Sequence, residues 1–167
     1  MSFHPVVDEN DTLISHCSKE ELEREGHITR NVVVFVSTST GELVVSKISD
    51  HKKRDAELFD VSVCGHVEKD EKYEDAAMRE LKEELGVESD VKFLKKILHN
   101  FTHYDKPRSF FTGVFLAQHD GPFVMSHESS ELRLMNIDLL FKEMEEHPEH
   151  FTQGFLKEIQ EIQEHLQ

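Results

Sequence analysis

Several features that direct a protein out of the cytoplasm are missing from this chain. Its 167 residues include two cysteines, Cys17 and Cys64, too few for a disulfide framework or a four-cysteine metal site. The longest apolar run, 32–36, is far shorter than the roughly 18 residues that cross a bilayer. Residues 1–10 have neither the basic nor the apolar stretch of a signal peptide. We therefore expect a cytoplasmic protein with no membrane partner.

Positive charge is scarce as well. Lysine and arginine number 19 against 34 aspartates and glutamates, which gives a net charge of −15. Proteins that bind nucleic-acid polymers need the opposite balance, so a polymer of this kind is excluded as the main partner. A small phosphorylated ligand is compatible with the charge, because carboxylates can bind a divalent cation that in turn binds phosphate.

The order of strand-like and helix-like segments predicts one α+β domain over residues 1–167. The predicted strands are 31–37, 42–48, 58–64, 91–101, 108–117 and 132–135, the first two of them forming a hairpin. The predicted helices are 18–25, 74–85 and two C-terminal ones, 138–146 and 154–166. Ser18 and Glu21 have the spacing of a capping box at the start of the first helix. Residues 126–131 are interpreted as a polar loop.

A group of carboxylates on the predicted helix 74–85 is the feature that most suggests chemistry. Glu80, Glu83 and Glu84 are three or four residues apart or adjacent, so they share one face of the helix. Their mutual repulsion would be offset by a hard divalent cation with oxygen ligands. Glutamates on a helix usually form only a solvated face, and this is how we interpret those of the last predicted helix, Glu158, Glu161 and Glu164.

The residues before this helix give its carboxylates a defined setting. Arg79 stands next to Glu80, and a planar guanidinium can hold either that carboxylate or Glu71 bidentately. Gly65 has no side chain, so its backbone carbonyl is open to a cation. The three glutamates taken alone would still favour a solvated face, and it is the pattern of the whole stretch that favours a metal site.

The stretch 65–87 resembles the Nudix box, which is a glycine, five residues, a glutamate, seven residues and R-E-U-x-E-E-x-G-U, where U is a bulky aliphatic residue. Every fixed position is filled, by Gly65, Glu71, Arg79, Glu80, Leu81, Glu83, Glu84, Gly86 and Val87. The resemblance implies the Nudix fold, a mixed β-sheet sandwiched between α-helices. It also implies attack of water on a diphosphate linkage with Mg²⁺ or Mn²⁺ as cofactor, a small phosphorylated substrate and, as in many relatives, a homodimer.

The resemblance also implies roles for individual residues. The metal ligands would be the carboxylates of Glu80, Glu83 and Glu84 and the carbonyl of Gly65. The residues that brace the loop against the helix would be Glu71 and Arg79. In many Nudix enzymes the first glutamate of the loop after the sheet acts as the general base or helps it. That position is Glu128, with Glu131 as the alternative. Glu80 and Glu83 on the helix are also catalytic candidates, so the identity of the general base stays open.

Beyond the box, residues 18–140 resemble most closely the isopentenyl-diphosphate isomerase-like branch. Cys64 and His66 stand where the isomerase has its cysteine and a metal-binding histidine. Thr29 replaces another metal-binding histidine, and Arg108 and Phe110 fall near its catalytic glutamates. The chain also has no tryptophan. A hydrolase is therefore favoured, and the alternatives are an isomerase-like enzyme with a remodelled site or a catalytically silent ligand-binding domain.

Several residues outside the fixed positions are candidates for contact with the substrate. Cys64 and His66 could belong to the site, although Cys64 at a strand end is more typical of a small buried hydrophobe. Lys47 and the basic stretch 51–54 could bind substrate phosphates or form a solvated loop. The pocket could also be lined by His99, His103 and Tyr104.

Overall fold

The computed structural model describes residues 2–103 and 105–166. Tyr104 and the side chain of His103, both suggested above for a substrate pocket, lie outside the described part. The chain begins with an antiparallel hairpin of β1 (Phe3–Val7) and β2 (Leu13–Ser18). Helix α1 (Lys19–Glu25) follows, and its N-terminus has the predicted capping box between Ser18 and Glu21.

A mixed sheet forms the centre of the fold. Its strands are β3 (Thr29–Ser37), β4 (Glu42–Ile48), β5 (Phe59–Asp60), β6 (Val63–His66), β7 (Lys92–His103), β8 (Lys106–Gln118) and β9 (Ser129–Asn136). The order is β5-β4-β3-β8-β7, with β6 paired to β3 and β9 paired to β4. Strands β3 and β8 are parallel along their shared length, whereas β7 and β8 form a long antiparallel hairpin.

The predicted hairpin of 31–37 and 42–48 is confirmed only at its turn. Strands β3 and β4 are paired only at Ser37 and Leu43, and β4 instead pairs along its length with β9. Strand β9 is also longer than predicted and begins at Ser129, so Glu131 lies in a strand and not in a loop. Most residues of β9 are exposed or half-buried. Because apolar residues alternate only weakly along β9, the sequence did not show how long this strand is or that it pairs with β4.

Helices cover both faces of the sheet because β3 is apolar on both faces. Val32 and Val34 pack in a core with helix α2 (Tyr73–Leu85), as parallel-type central strands commonly do. Val33 and Phe35 point the other way, as alternate strand residues must, into the core with α3 (Ile137–Glu146) and α4 (Gln153–Glu161). The sheet thus lies between helices, which confirms the predicted α+β architecture.

The last helix differs from the prediction in its length and in one side chain. The predicted segment 154–166 is helical only through α4, after which a 3₁₀ turn covers Gln163–His165. Glu158, interpreted above as solvated, is only 4% exposed. It lies between Phe155 and Ile159 on the apolar face of α4, where their burial takes it inside. Glu161 is exposed, as predicted. None of the described helices is both long enough and apolar enough to span a bilayer.

Candidate active site

A clamp between Arg79 and Glu71 fixes the loop that leads into α2. The Nε and Nη2 atoms of Arg79 donate to the two carboxylate oxygens of Glu71 at 2.8 and 3.0 Å, and Nη2 also donates to the carbonyl of His66 at 2.9 Å. The backbone N–H of Glu68 donates to Glu71 from the loop itself. Burial raises the pKa of Glu71, but the hydrogen bonds from Arg79 and from the N–H of Glu68, together with the charge of Arg79, outweigh it and the pKa is lowered.

The carboxyl group of Glu80 lies directly against the backbone of Gly65. A Cβ atom at position 65 would lie 2.1 Å from the Cδ atom of Glu80, so a larger residue could not occupy this place without displacing the carboxylate. Arg79 donates to Glu80 from Nη1 at 2.7 Å. Burial raises the pKa of Glu80, and the neighbouring carboxylates of Glu83 and Glu128 add to the effect while Arg79 opposes it.

Glu84 lies one turn further along α2, beside the same strand end. The backbone N–H of Cys64 donates to its Oε2 atom at 3.3 Å. Burial raises the pKa of Glu84 to about 8, and repulsion from Glu80 and Glu128 contributes. Negative charge is therefore concentrated here beyond what nearby groups neutralise.

Glu83 is the most exposed of the three helix carboxylates, with 58% of its side chain accessible. Its contact with Arg79, from Nη1 to Oε2, is 3.3 Å long. The oxygens of Glu80, Glu83 and Glu84 do not all come within 4.8 Å of one another. The like charges repel each other, and the guanidinium of Arg79 contacts the carboxylates of Glu80 and Glu83.

These groups fit a hard divalent cation. The donors are carboxylate oxygens and a carbonyl, which Mg²⁺ and Mn²⁺ prefer. The raised pKa values of Glu80 and Glu84 mean that their ionised forms lack compensation, which a cation would supply. The residues that could hold such an ion are Gly65, Glu80, Glu83 and Glu84.

Glu128 contributes to this acidic group from the segment before β9. Its carboxylate lies 2.7 Å from the ammonium nitrogen of Lys52, which holds its pKa below the usual range. Its charge raises the pKa of both Glu80 and Glu84, whereas Glu131 pairs with Arg133 and is not among the groups that do so.

The basic groups singled out above have separate partners. Lys52 reaches the site through Glu128, and the guanidinium of Arg54 lies over the ring of Phe101. The ammonium group of Lys47 pairs with Glu57 at 3.2 Å. Sequence reasoning missed Lys19, whose charge lowers the pKa of Glu128 and of His66; its position at the start of α1 gave no signal.

Cys64 is exposed, so its interpretation as a small buried hydrophobe is wrong. Strand β6 places it opposite Val33 of β3, so its side chain is on the sheet face that packs against α3 and α4, where protein atoms surround it although water reaches it. Desolvation raises the pKa of the thiol well above its usual range, and the charges of Asp60, Glu158 and Glu84 add to this. The thiol is therefore protonated at neutral pH.

His66 lies two residues further along β6. Its ring is 5.0 Å from that of His4, and its backbone carbonyl accepts from Arg79. Although the side chain is exposed, desolvation by surrounding protein atoms lowers the pKa of its imidazole to about 4, with positive neighbours contributing. A neutral imidazole therefore lies next to the acidic group.

A buried polar group lies behind Cys64. Sequence reasoning placed His99 between strands as a candidate for the substrate pocket, but His99 lies in β7 and is only 7% exposed. His99 and Glu158 approach to 3.2 Å from β7 and α4. On the same face of the sheet, Asn31 and Thr112 are partners in the β3–β8 register. Their side-chain oxygens, Oδ1 and Oγ1, are buried without a hydrogen bond in the described part of the chain. The only signal was the interruption of apolar strands by polar residues.

Comparison with known proteins identifies a matching family and several relatives. A family model of the NUDIX domain matches residues 27–155. The isopentenyl-diphosphate Delta-isomerase 1 of Aromatoleum aromaticum is 30% identical over 153 residues, 88% of this chain and 84% of that protein. An uncharacterized Nudix hydrolase of Pseudomonas aeruginosa is 32% identical over 139 residues, 82% of this chain and 80% of that protein.

The fold has a solved counterpart as well. The crystal structure of DR0079 from Deinococcus radiodurans matches with a TM-score of 0.77 at 23% identity, covering 95% of this chain and 98% of that one. The chain therefore belongs to the Nudix family. Its relatives are named both as isomerases and as hydrolases, which confirms the resemblance to the isomerase-like branch.

Proposed function

We propose that this Nudix protein is a Mg²⁺- or Mn²⁺-dependent hydrolase that cleaves a diphosphate linkage in a small phosphorylated substrate of the nucleoside diphosphate type. The observation that carries the proposal is the contact of two α2 carboxylates with the end of β6. Glu80 is pressed against Gly65, and Glu84 accepts from the N–H of Cys64. Both carboxylates have raised pKa values, the condition in which a divalent cation stabilises them most.

The chain's own residues divide the work. Glu80, Glu83, Glu84 and the carbonyl of Gly65 would hold the cation, which when bound neutralises diphosphate charge and lowers the pKa of bound water. The clamp of Arg79 on Glu71 would keep the loop and α2 in register, since a bidentate pair fixes both distance and plane.

Two positions would handle the proton and the substrate charge. Glu128 has a lowered pKa and is ionised at neutral pH, so it can accept a proton from attacking water; Glu83 is the alternative base. Lys52 and Lys19 lie close enough to Glu128 to affect its pKa, and their ammonium groups are suited to the outer phosphate oxygens of the substrate.

The test is hydrolysis over a panel of small diphosphates with Mg²⁺, Mn²⁺ or a chelator. The panel would contain nucleoside di- and triphosphates, nucleotide sugars, ADP-ribose, dinucleoside polyphosphates and isoprenoid diphosphates. We expect metal-dependent release of a phosphorylated product from at least one member. Ligand binding without turnover across the whole panel would favour the silent-domain alternative instead.

One observation favours a second candidate, an isomerase-like enzyme. The protonated thiol of Cys64 is exposed beside the acidic group, as a cysteine that delivers a proton would have to be. Against it, Arg108 donates to the carbonyl of Glu23 and Phe110 stacks on His99, so neither position offers a carboxylate. Cys64→Ala should abolish isomerisation of isopentenyl diphosphate but leave hydrolysis nearly unchanged.

We also propose a cytoplasmic location and a homodimer. Both cysteines are free, and an exposed thiol such as that of Cys64 persists best in a reducing compartment. The proposal of a homodimer is supported only by the dimerisation of many members of the family. Sedimentation equilibrium of the full chain would decide between one copy and two.

A further inference from the structure

The connection between α3 and α4 carries a second group of metal-ligating side chains, remote in sequence from the Nudix box. His147, Glu149 and His150 each offer one ligand atom, and these atoms all lie within 4.8 Å of one another. The Nδ1 atom of His147 is 3.2 Å from Glu149 Oε1, and the Nε2 atom of His150 is 3.9 Å from the same oxygen. All three side chains are exposed, so an ion could reach them from solvent.

A fourth side chain contacts the group from α3. The Nδ1 atom of His150 faces Glu143 Oε1 at 3.6 Å, while its Nε2 atom faces Glu149. In metal sites, the imidazole nitrogen that does not bind the ion usually meets a carboxylate, which sets the tautomer and the ring orientation. His150 therefore has one nitrogen directed toward the other ligand atoms and the other toward an orienting carboxylate.

The fold holds the spacing of these residues. Pro148 is at the start of a 3₁₀ turn, Pro148–His150, and the N–H of His150 donates to the carbonyl of His147 at 3.0 Å. The next residue, Phe151, is 3% exposed and packs against Phe59. Because a buried residue anchors the turn, the ligand positions are built into the fold and do not depend on a loose tail.

The electrostatic balance also favours a cation. Among the described residues, no lysine or arginine pairs with Glu143 or Glu149; their partners are the two imidazoles. Within the described residues, a bound cation would therefore replace no ammonium or guanidinium group. A divalent ion bound to the imidazoles would supply positive charge beside the two carboxylates.

We propose that His147, Glu149 and His150 form a binding site for a borderline transition-metal ion, Zn²⁺ foremost, with Glu143 orienting His150. Two imidazole nitrogens and one carboxylate suit Zn²⁺, Ni²⁺ and Cu²⁺ and disfavour Mg²⁺, which prefers oxygen. The bound ion would join the C-terminal end of α3 to the turn before α4. Because it binds the folded chain, it would raise the melting temperature.

The test uses the full chain and a Zn²⁺ titration by calorimetry, in saturating Mg²⁺ so that oxygen-donor sites are already filled. The wild type should bind one Zn²⁺ ion, with a matching rise in melting temperature. His147→Gln/His150→Gln should weaken binding at least tenfold and remove the thermal shift. Glu143→Gln should weaken binding by about tenfold while retaining it, as expected for an orienting carboxylate.

A matched control is another stacked pair of exposed imidazoles. The rings of His51 and His127 are 6.4 Å apart and inclined by 10°, much like the 16° between His147 and His150. His51→Gln/His127→Gln should bind Zn²⁺ like the wild type. Circular dichroism would verify that each variant is folded.

Three results would overturn the proposal. They are absence of Zn²⁺ binding, equal binding by the wild type and the His147→Gln/His150→Gln variant, and loss of binding in Glu80→Gln/Glu83→Gln instead. The last result would assign the Zn²⁺ to the box carboxylates. Magnesium-dependent hydrolysis is a separate readout, so failure of the hydrolase proposal would leave this test intact.

Discussion

Two helices, α2 and α4, carry glutamates three residues apart, yet their environments differ. In α2, Glu80 and Glu84 lie against the backbone of β6, and the guanidinium of Arg79 donates to Glu80. In α4, Glu158 is buried beside an imidazole, while Glu161 stays at the surface and pairs with a lysine. Spacing therefore fixes which glutamates share a helix face, but the elements packed against that face decide whether a carboxylate can bind an ion, is buried or is solvated.

The largest expected effect comes from removing a carboxylate of α2. Glu83→Gln should lower kcat/KM for the Mg²⁺-dependent reaction by at least about 100-fold, because replacing even an outer residue of a metal site typically costs 10–100-fold. The fold should be unchanged, since the side chain is 58% exposed. Steady-state kinetics and a melting curve would measure both. Glu161→Gln in α4 is the matched control and should retain wild-type turnover; normal turnover in Glu83→Gln would contradict the assignment.

A smaller loss is expected when the clamp is changed and the carboxylates are kept. Arg79→Lys preserves the charge but cannot reproduce the two bonds to Glu71 together with those to Glu80 and the carbonyl of His66. We expect kcat/KM to fall by about 10–100-fold, as for other residues that orient a metal ligand. Lys82→Arg, at an exposed position of the same helix, is the control. If Arg79→Lys retained full activity, the bidentate geometry would have no role in the reaction.

The close approach at Gly65 should be tested as a packing effect. In Gly65→Ala the new methyl group must displace the Glu80 carboxylate, and overpacking of this kind costs about 1–3 kcal/mol. Urea unfolding should show the loss, with weaker Mg²⁺ dependence of the rate. Gly154→Ala in α4 is the counterpart, because its Cβ would meet its nearest neighbour, Glu158 Oε1, at 3.6 Å. That variant should be no less stable than the wild type; similar stability of both variants would remove the argument for glycine at 65.

The sequence predicted the α2 side of the comparison because its determinants are local. The helix, its end at Gly86 and the carboxylate face all follow from residues 73–87, and Arg79 contacts both Glu71 and Glu80, the two partners considered for it. The strands predicted over 31–37, 42–48, 91–101 and 108–117 are also present, since each depends on its own apolar pattern. The predicted strand 58–64 is instead two strands, β5 and β6, and the hairpin of β1 and β2 was not predicted. The roles of these residues in metal binding and catalysis stay predictions.

What the sequence could not predict depends on contacts between distant segments. The pairing of β4 with β9 joins residues more than eighty positions apart, and a short local hairpin was the simpler expectation. The exposure of Cys64 and the burial of Glu158 depend on which elements surround them. Burial of a carboxylate is costly without a partner, so only knowledge of His99 on β7 would have predicted it.

A change in how stability depends on pH is expected for α4 alone. Burial raises the pKa of Glu158 from 4.5 to about 7, against the favourable contact with His99; Asp60 adds to the rise and Lys157 opposes it. As pH rises from 4.5 to 7, the unfolded chain loses this proton while the folded chain keeps it, so the free energy of unfolding falls. The loss is at most about 3.5 kcal/mol, at roughly 1.4 kcal/mol per pKa unit.

Glu158→Gln removes this titration and keeps the shape of the side chain. The free energy of unfolding of the variant minus that of the wild type should therefore be more positive at pH 8 than at pH 5. Urea unfolding of both proteins at both pH values would measure this difference. The raised pKa of Asp60 acts in the same direction in both proteins and largely cancels in the difference. Glu161→Gln should show no such change, because Lys95 lowers the pKa of Glu161 and both folded and unfolded chains are mostly ionised above pH 5. Parallel pH profiles for Glu158→Gln and the wild type would mean that burial in α4 does not perturb this carboxylate, and the contrast with the exposed Glu161 would disappear.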